Sequence, residues 1–152
     1  MGVSGAGKTT LGEALARELR WRYLDADDYH PPANVAKMAA GTPLEDADRW
    51  PWLDQLNSIL LKEENAVLGC SALKESYRKR LAAGLNGFRF VYLRGSFELI
   101  SRRAAARKHR YMPASLLKSQ FDALEPPRGA IEIDVAQPVE ASVRQILASL
   151  PR

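Results

Sequence analysis

Apolar residues recur along this chain in two alternating rhythms. From Thr9 to Arg20 they fall at Leu11, Leu15 and Leu19, a spacing that gathers them on one face of a helix. A short apolar run ends at Tyr23 to Asp25, ahead of polar residues, and reads as a strand. Ala66 to Cys70 and Phe88 to Leu93 are compact runs rich in Val, Leu, Phe and Tyr, while in Ile131 to Val135 apolar residues alternate with charges; these predict further strands. Helical patterns lie between them, at Trp50 to Lys62, Ser71 to Ala83 with a stop at Gly84, Phe97 to Lys108, Pro113 to Leu124 with a stop at Pro126 and Pro127, and Val139 to Leu150. Strands alternating with helices predict an α/β fold: a mostly parallel sheet, helices on both faces, and ligands at the carboxyl ends of the strands.

A length of 152 residues, 46% of them hydrophobic, allows one domain over 1–152 with a buried core. The apolar runs are short, and the first residues lack the basic-then-apolar order of an export signal, so no membrane is expected as a partner. The single cysteine, Cys70, cannot form an internal disulfide, which suits a reducing compartment such as the cytoplasm. A net charge of +4 would suit nucleic acid or small anions equally. The basic residues concentrate in Lys74 to Arg80 and Arg102 to Arg110 with no recognisable nucleic-acid motif, so small anions are the expected partners and nucleic acid is not.

The sharpest local pattern is Gly2, Val3, Ser4, Gly5, Ala6, Gly7, Lys8, Thr9, which satisfies GxxxxGK(S/T) directly before a helix. Glycines let such a loop wrap a phosphate without Cβ clashes, and its amides point inward at the positive end of a helix dipole. Lys8 would reach the β and γ phosphates of a nucleotide, the Thr9 hydroxyl would ligate Mg²⁺, and Thr10 offers a second phosphate contact. The motif predicts nucleotide binding without separating kinases from GTPases or ATP-driven machines.

After the first helix, Asp25, Asp27 and Asp28 stand at the end of a predicted strand, where sites of parallel sheets lie. Phosphoryl transfer to an alcohol needs a carboxylate that orients or deprotonates the hydroxyl and others that support the metal. Asp27 is expected as the base, Asp25 as metal support, and Asp28 as either a participant or a solvated turn residue. His30 could bind substrate or close a loop before Pro31 and Pro32. Ser71, Lys74 and Arg78, at i, i+3 and i+7 of a predicted helix, would share a face able to grip a carboxylate or polyol. Arg103, Arg107 and Arg110 share another face, in a region from about 103 to 115 that reads as a lid closing over ATP.

In these residues the chain resembles the thermoresistant type of gluconokinase over essentially its whole length. The matching stretches are GVSGAGKTT, LDADDYHP with the following NVAKMAAGTPLEDADRWPWL, CSALKESYR, YLRGSFELISRR and YMPASLLKSQFDALEPP. The resemblance implies a P-loop kinase fold and transfer of the ATP γ-phosphoryl group to the 6-hydroxyl of D-gluconate, supplying 6-phosphogluconate to the pentose phosphate pathway, in a cytoplasmic homodimer using Mg²⁺. It implies that Lys8, Asp27 and Arg107 are catalytic, and that Gly2 to Thr10 with Arg103 and Arg107 bind ATP. Thr9 and Asp25 are implied at the metal, and Asp27, His30, Arg49, Lys74, Arg78 and Gln120 at the sugar acid. Another small-metabolite kinase of the shikimate kinase type, or a non-catalytic nucleotide-binding form, are the competing readings.

Two departures from the family pattern stand out. His109, Arg110 and Tyr111 replace a common Gly-His-Phe in the lid. The hydrophobic strand expected before the P-loop is also missing, because Gly2 already belongs to the loop. In a five-stranded parallel sheet that strand would be central, between the strands ending at Cys70 and Leu93. Its absence predicts an open slot costing several kcal/mol against a typical stability of about 5 to 15 kcal/mol, and with it an expectation that the natural protein starts upstream by about five to ten mostly apolar residues.

Overall fold

The computed structural model describes residues 1–106 and 114–151. Its helices are α1 (Lys8–Leu19), α2 (Pro32–Ala39), α3 (Asp46–Lys62), α4 (Glu75–Ala82), α5 (Phe97–Ala105), α6 (Ala114–Ala123) and α7 (Val139–Ser149). The strands are β1 (Arg22–Asp25), β2 (Ala66–Gly69), β3 (Val91–Arg94) and β4 (Ile131–Asp134).

β1 pairs in parallel with β2, Leu24 opposite Leu68, and β3 in parallel with β4, Leu93 opposite Ile133. Successive strand residues point to opposite faces, and β2 shows where each face goes. Val67 packs with Leu11, Leu15, Val143 and Ile146 of α1 and α7, while Leu68 packs with Trp52, Leu53, Leu56 and Leu81 of α3 and α4. Helices thus cover both faces, as the alternation of elements predicts.

Among the described residues the two strand pairs are not laddered to each other, and a slot of about 330 Å³ lies between them, lined by Leu15, Leu19, Val67, Val91, Ile146 and Leu150. Its carboxyl end is stitched by the start of the chain. The Met1 nitrogen donates to the Val91 carbonyl (2.5 Å), the Met1 carbonyl accepts from Leu93 N–H (2.9 Å), and Gly2 N–H donates to the Ser71 carbonyl (3.2 Å). This is the position where the sequence pattern lacks a strand.

Two expectations are corrected in detail. The helix predicted from Ser71 begins at Glu75; Ser71 to Lys74 form a loop in which Ala72 has φ 45°, outside the helical region. Ser71 therefore does not share a helix face with Arg78. The run Phe88 to Phe90 lies before β3, whose ladder starts at Val91.

α1 sits close on the sheet because of Gly12. A Cβ there would come within 2.5 Å of Tyr23 Cε2, and one at Gly69 would meet the Tyr23 hydroxyl. Gly12→Ala gains about 1 kcal/mol of helix propensity, yet overpacking against a ring wedged between helix and strand costs roughly 1 to 3 kcal/mol. The expected net result is a fall of a few degrees in Tm by calorimetry; a rise would show that Tyr23 yields.

Candidate active site

The loop from Gly2 to Gly7 turns on two glycines whose backbone only glycine adopts without strain: Gly5 at φ 82° and Gly7, the residue before α1, at φ 100°. A Cβ at Gly7 would meet nothing within 4 Å, so the loop's inner side opens to ligand. The first turn of α1 holds no acidic residue, and its dipole is left for an external anion. Lys8 Nζ folds back onto the carbonyls of Gly2 and Val3, both at 2.9 Å, while Thr9 and Thr10 are exposed. Beside the loop lies a cavity of about 460 Å³ lined by Gly5, Gly7, Thr10, Arg103, Gln137 and Pro138. Arg103 thus lines the same cavity as Gly5, Gly7 and Thr10; Arg107 and His109 to Tyr111 lie outside the described residues.

On the other side β1 ends at Asp25, whose Oδ1 accepts from Asp27 N–H at 3.0 Å and starts a 3-10 turn over Ala26–Tyr29. That turn lifts Asp27 and Asp28 into solvent and sends His30 inward. Trp52 Nε1 donates to the Ala26 carbonyl at 2.8 Å and stacks on the His30 ring, 4.1 Å between centroids and 15° between planes. Burial pushes the His30 imidazole below its ordinary pKa; the Asp27 charge acts against this and the Arg49 charge with it.

Cys70 follows β2 and is buried. Burial pushes its thiol up to about 11, while Lys8 pulls it down and Asp27 adds to the rise. No group of three or more His, Cys, Asp or Glu suited to a metal occurs among the described residues. Thr9 stands in the first turn of α1 and Asp25 ends β1.

The cationic pocket is built around Tyr77, a residue the sequence reading passed over. Arg49 Nη1 donates to the Tyr77 hydroxyl (3.2 Å) and the Leu44 carbonyl (2.7 Å), and its guanidinium lies 5.2 Å from the Tyr77 ring centroid. Lys74 Nζ lies 5.6 Å from the same centroid and 3.5 Å from Asp46 Oδ1. The Tyr77 hydroxyl donates to Asp46, which holds that carboxyl below its usual range; burial and this contact push the phenol up to about 12.

Arg78 and Gln120 are placed differently. Arg78, 6% exposed, donates to the carbonyls of Ala72 (2.8 Å), Leu73 (3.1 Å) and Glu125 (2.8 Å), tying the loop after β2 to the end of α6. Gln120 Oε1 accepts from Ser4 N–H of the P-loop at 2.7 Å. Gln120→Ala should therefore lower stability by about 1 kcal/mol and raise KM for ATP more than KM for the acceptor. The opposite split in steady-state kinetics would put Gln120 at the acceptor instead.

A parallel α/β scaffold with this loop leading into α1 and with Asp25 and Asp27 at the end of β1 defines a P-loop kinase acting on an alcohol acceptor. A family model described as "Shikimate kinase" matches residues 4–131. The chain is 44% identical to a probable gluconokinase of Xenopus tropicalis over 100% of this chain and 92% of that protein. It is 41% identical to the thermoresistant gluconokinase of Escherichia coli strain K12 over 94% and 86% of the two chains. The crystal structure of a gluconokinase from Sinorhizobium meliloti 1021 superimposes with a TM-score of 0.90 at 45% identity, covering 97% of this chain and 87% of that one. The chain belongs to the gluconokinase family of P-loop kinases.

Proposed function

We propose that this chain transfers the γ-phosphoryl group of ATP to the 6-hydroxyl of D-gluconate, with Mg²⁺ as the metal. The observation carrying this reading is the P-loop running into α1, together with Asp25 and Asp27 at the end of β1 and the Arg49–Tyr77–Lys74 group between α3 and α4. Bound ATP with its metal supplies the electrophilic phosphorus and neutralises part of the phosphate charge.

The chain's residues do the rest. The backbone amides of Gly5 and of Gly7 to Thr10, with the α1 dipole, hold the phosphates. Lys8 leaves the carbonyls of Gly2 and Val3 to meet them. Thr9 and Asp25 hold the metal and its water. Asp27 orients the attacking hydroxyl and takes its proton. Arg103 and Arg107 balance charge gathering on the transferred group. His30, Arg49 and Lys74 line the sugar-acid pocket; Arg78 shapes it by holding the loop that carries Lys74, and Gln120 steadies the P-loop through Ser4. The same reading makes the chain a single domain and a cytoplasmic homodimer, and no helix among the described residues is long and apolar enough to cross a membrane.

A coupled ADP-release assay across gluconate, glucose, shikimate and nucleoside monophosphates tests this. Glucose lacks the carboxylate that Lys74 and Arg49 would meet, so kcat/KM for gluconate should exceed that for glucose by at least about 10²-fold. Equal values would reject the anion pocket. Turnover of shikimate in place of gluconate would favour the second reading, which the family model's description supports.

A further inference from the structure

Asn34 is 3% exposed on the first turn of α2, and its surroundings decide which nitrogen of His30 bears hydrogen. Asn34 Nδ2 lies 2.9 Å from the Asp48 carbonyl oxygen and 3.3 Å from His30 Nδ1. A carbonyl oxygen only accepts, so the Asn34 atom facing it is the NH₂ group. Its two hydrogens are then directed one to Asp48 and the other to His30 Nδ1. A ring nitrogen that accepts carries no hydrogen, and the uncharged ring must carry its own on Nε2. That nitrogen lies 3.9 Å from Asp27 Oδ1. The ring cannot easily turn to exchange its nitrogens, since it is stacked on Trp52 and its side chain is 4% exposed.

We infer that Asn34 is a positioning residue that fixes His30 in the Nε2–H form, so that His30 presents a hydrogen-bond donor to the Asp27 carboxylate and holds one of its oxygens while the other faces the acceptor hydroxyl. At 3.9 Å the contact is longer than a hydrogen bond. Rotation of the exposed Asp27 side chain closes it, as such contacts tighten when substrate binds. A protonated ring would turn an N–H against the Asn34 amide hydrogen, so the same contact disfavours the imidazolium. His30 acts here as a donor and neither gives up nor gains a proton in the reaction. The inference rests on the reading of Asp27 as the acceptor-side carboxylate.

The tautomer can be read directly by ¹⁵N NMR, because the chain has two histidines, His30 and His109, and a His109→Gln variant assigns the remaining signals. At neutral pH the His30 signals should show an unprotonated Nδ1 and a protonated Nε2; the reverse pattern overturns the proposal. Asn34→Asp replaces the donor with an acceptor, so the hydrogen should move to Nδ1 or the ring become doubly protonated, with kcat falling roughly 10- to 100-fold and KM for ATP unchanged. Wild-type kcat in that variant, with the ring pattern changed, also overturns it. If Asn34→Asp does not fold, the decision passes to a second pair. His30→Gln keeps a donor near the Nε2 position and should retain at least about ten times the kcat of His30→Phe, which keeps the stacking alone; equal kcat values overturn the proposal. An Nε2–H ring in a protein whose Asp27→Asn variant has wild-type kcat would remove Asp27 from the reaction and leave the tautomer lock standing.

Discussion

Asp27→Asn should lower kcat for gluconate by about 10²- to 10⁴-fold with little change in ATP affinity. An amide still fills the space and can hydrogen-bond the hydroxyl, but it cannot take the proton. The fold should survive, because the Asp27 side chain is exposed and the 3-10 turn is held by the Asp27 backbone N–H on Asp25 and by Trp52 on Ala26. Single-turnover kinetics, with nucleotide binding measured separately, check this. Wild-type kcat would remove Asp27 from proton transfer and leave the metal-bound phosphates to activate the hydroxyl.

Lys8→Ala should reduce kcat/KM by about 10³-fold or more, since a point charge on the β and γ phosphates is most valuable where charge builds in the transition state. Lys8 also laces the ligand-free loop through Gly2 and Val3, so a second, smaller effect is expected: a loss of about 1 to 2 kcal/mol in stability, visible as a few degrees in Tm. Lys8→Met, which keeps the apolar stem, should lose as much activity as Lys8→Ala. Turnover within tenfold of wild type in either variant would show that the loop amides suffice.

Both predictions concern residues that the sequence alone makes visible. A P-loop is a local device: its glycines, lysine and threonine are consecutive, and the conformation follows from the absence of Cβ atoms and the start of α1. Asp25 and Asp27 were legible for a related reason, because a strand end in a parallel sheet places its next residues at the site. The pocket was less legible. Asp46 and Arg49 stand at the start of α3, Lys74 and Tyr77 at the start of α4, and the sequence does not show that the side chains of Lys74 and Asp46 meet across the Tyr77 ring.

α2 was missed altogether, since PANVAKMA buries only Asn34 and shows no apolar stripe; Pro32 at the first helical position was the available signal. With α2 went the contact between Asn34 and His30. Arg78 differs in another way. Its periodicity relative to Lys74 suggests a ligand face, whereas the chain at Ala72, with positive φ, keeps the helix from starting before Glu75, and the carbonyls of Ala72 and Leu73 accept from the guanidinium.

The slot between the strand pairs has a mechanical consequence. Asp25 and Asp27 extend from the end of β1, and Arg103 follows β3 on α5, so the acceptor half and part of the nucleotide half ride on different pairs. Among the described residues the halves are linked at the carboxyl end by the backbone of Met1 and Gly2 and by the Glu125 N–H on the Leu73 carbonyl; side chains of α1 and α7 also pack between them. A ligand that spans both halves acts as a brace, and a bisubstrate analogue joining gluconate to ATP should slow amide exchange in β2 and β3 well beyond what either ligand achieves alone.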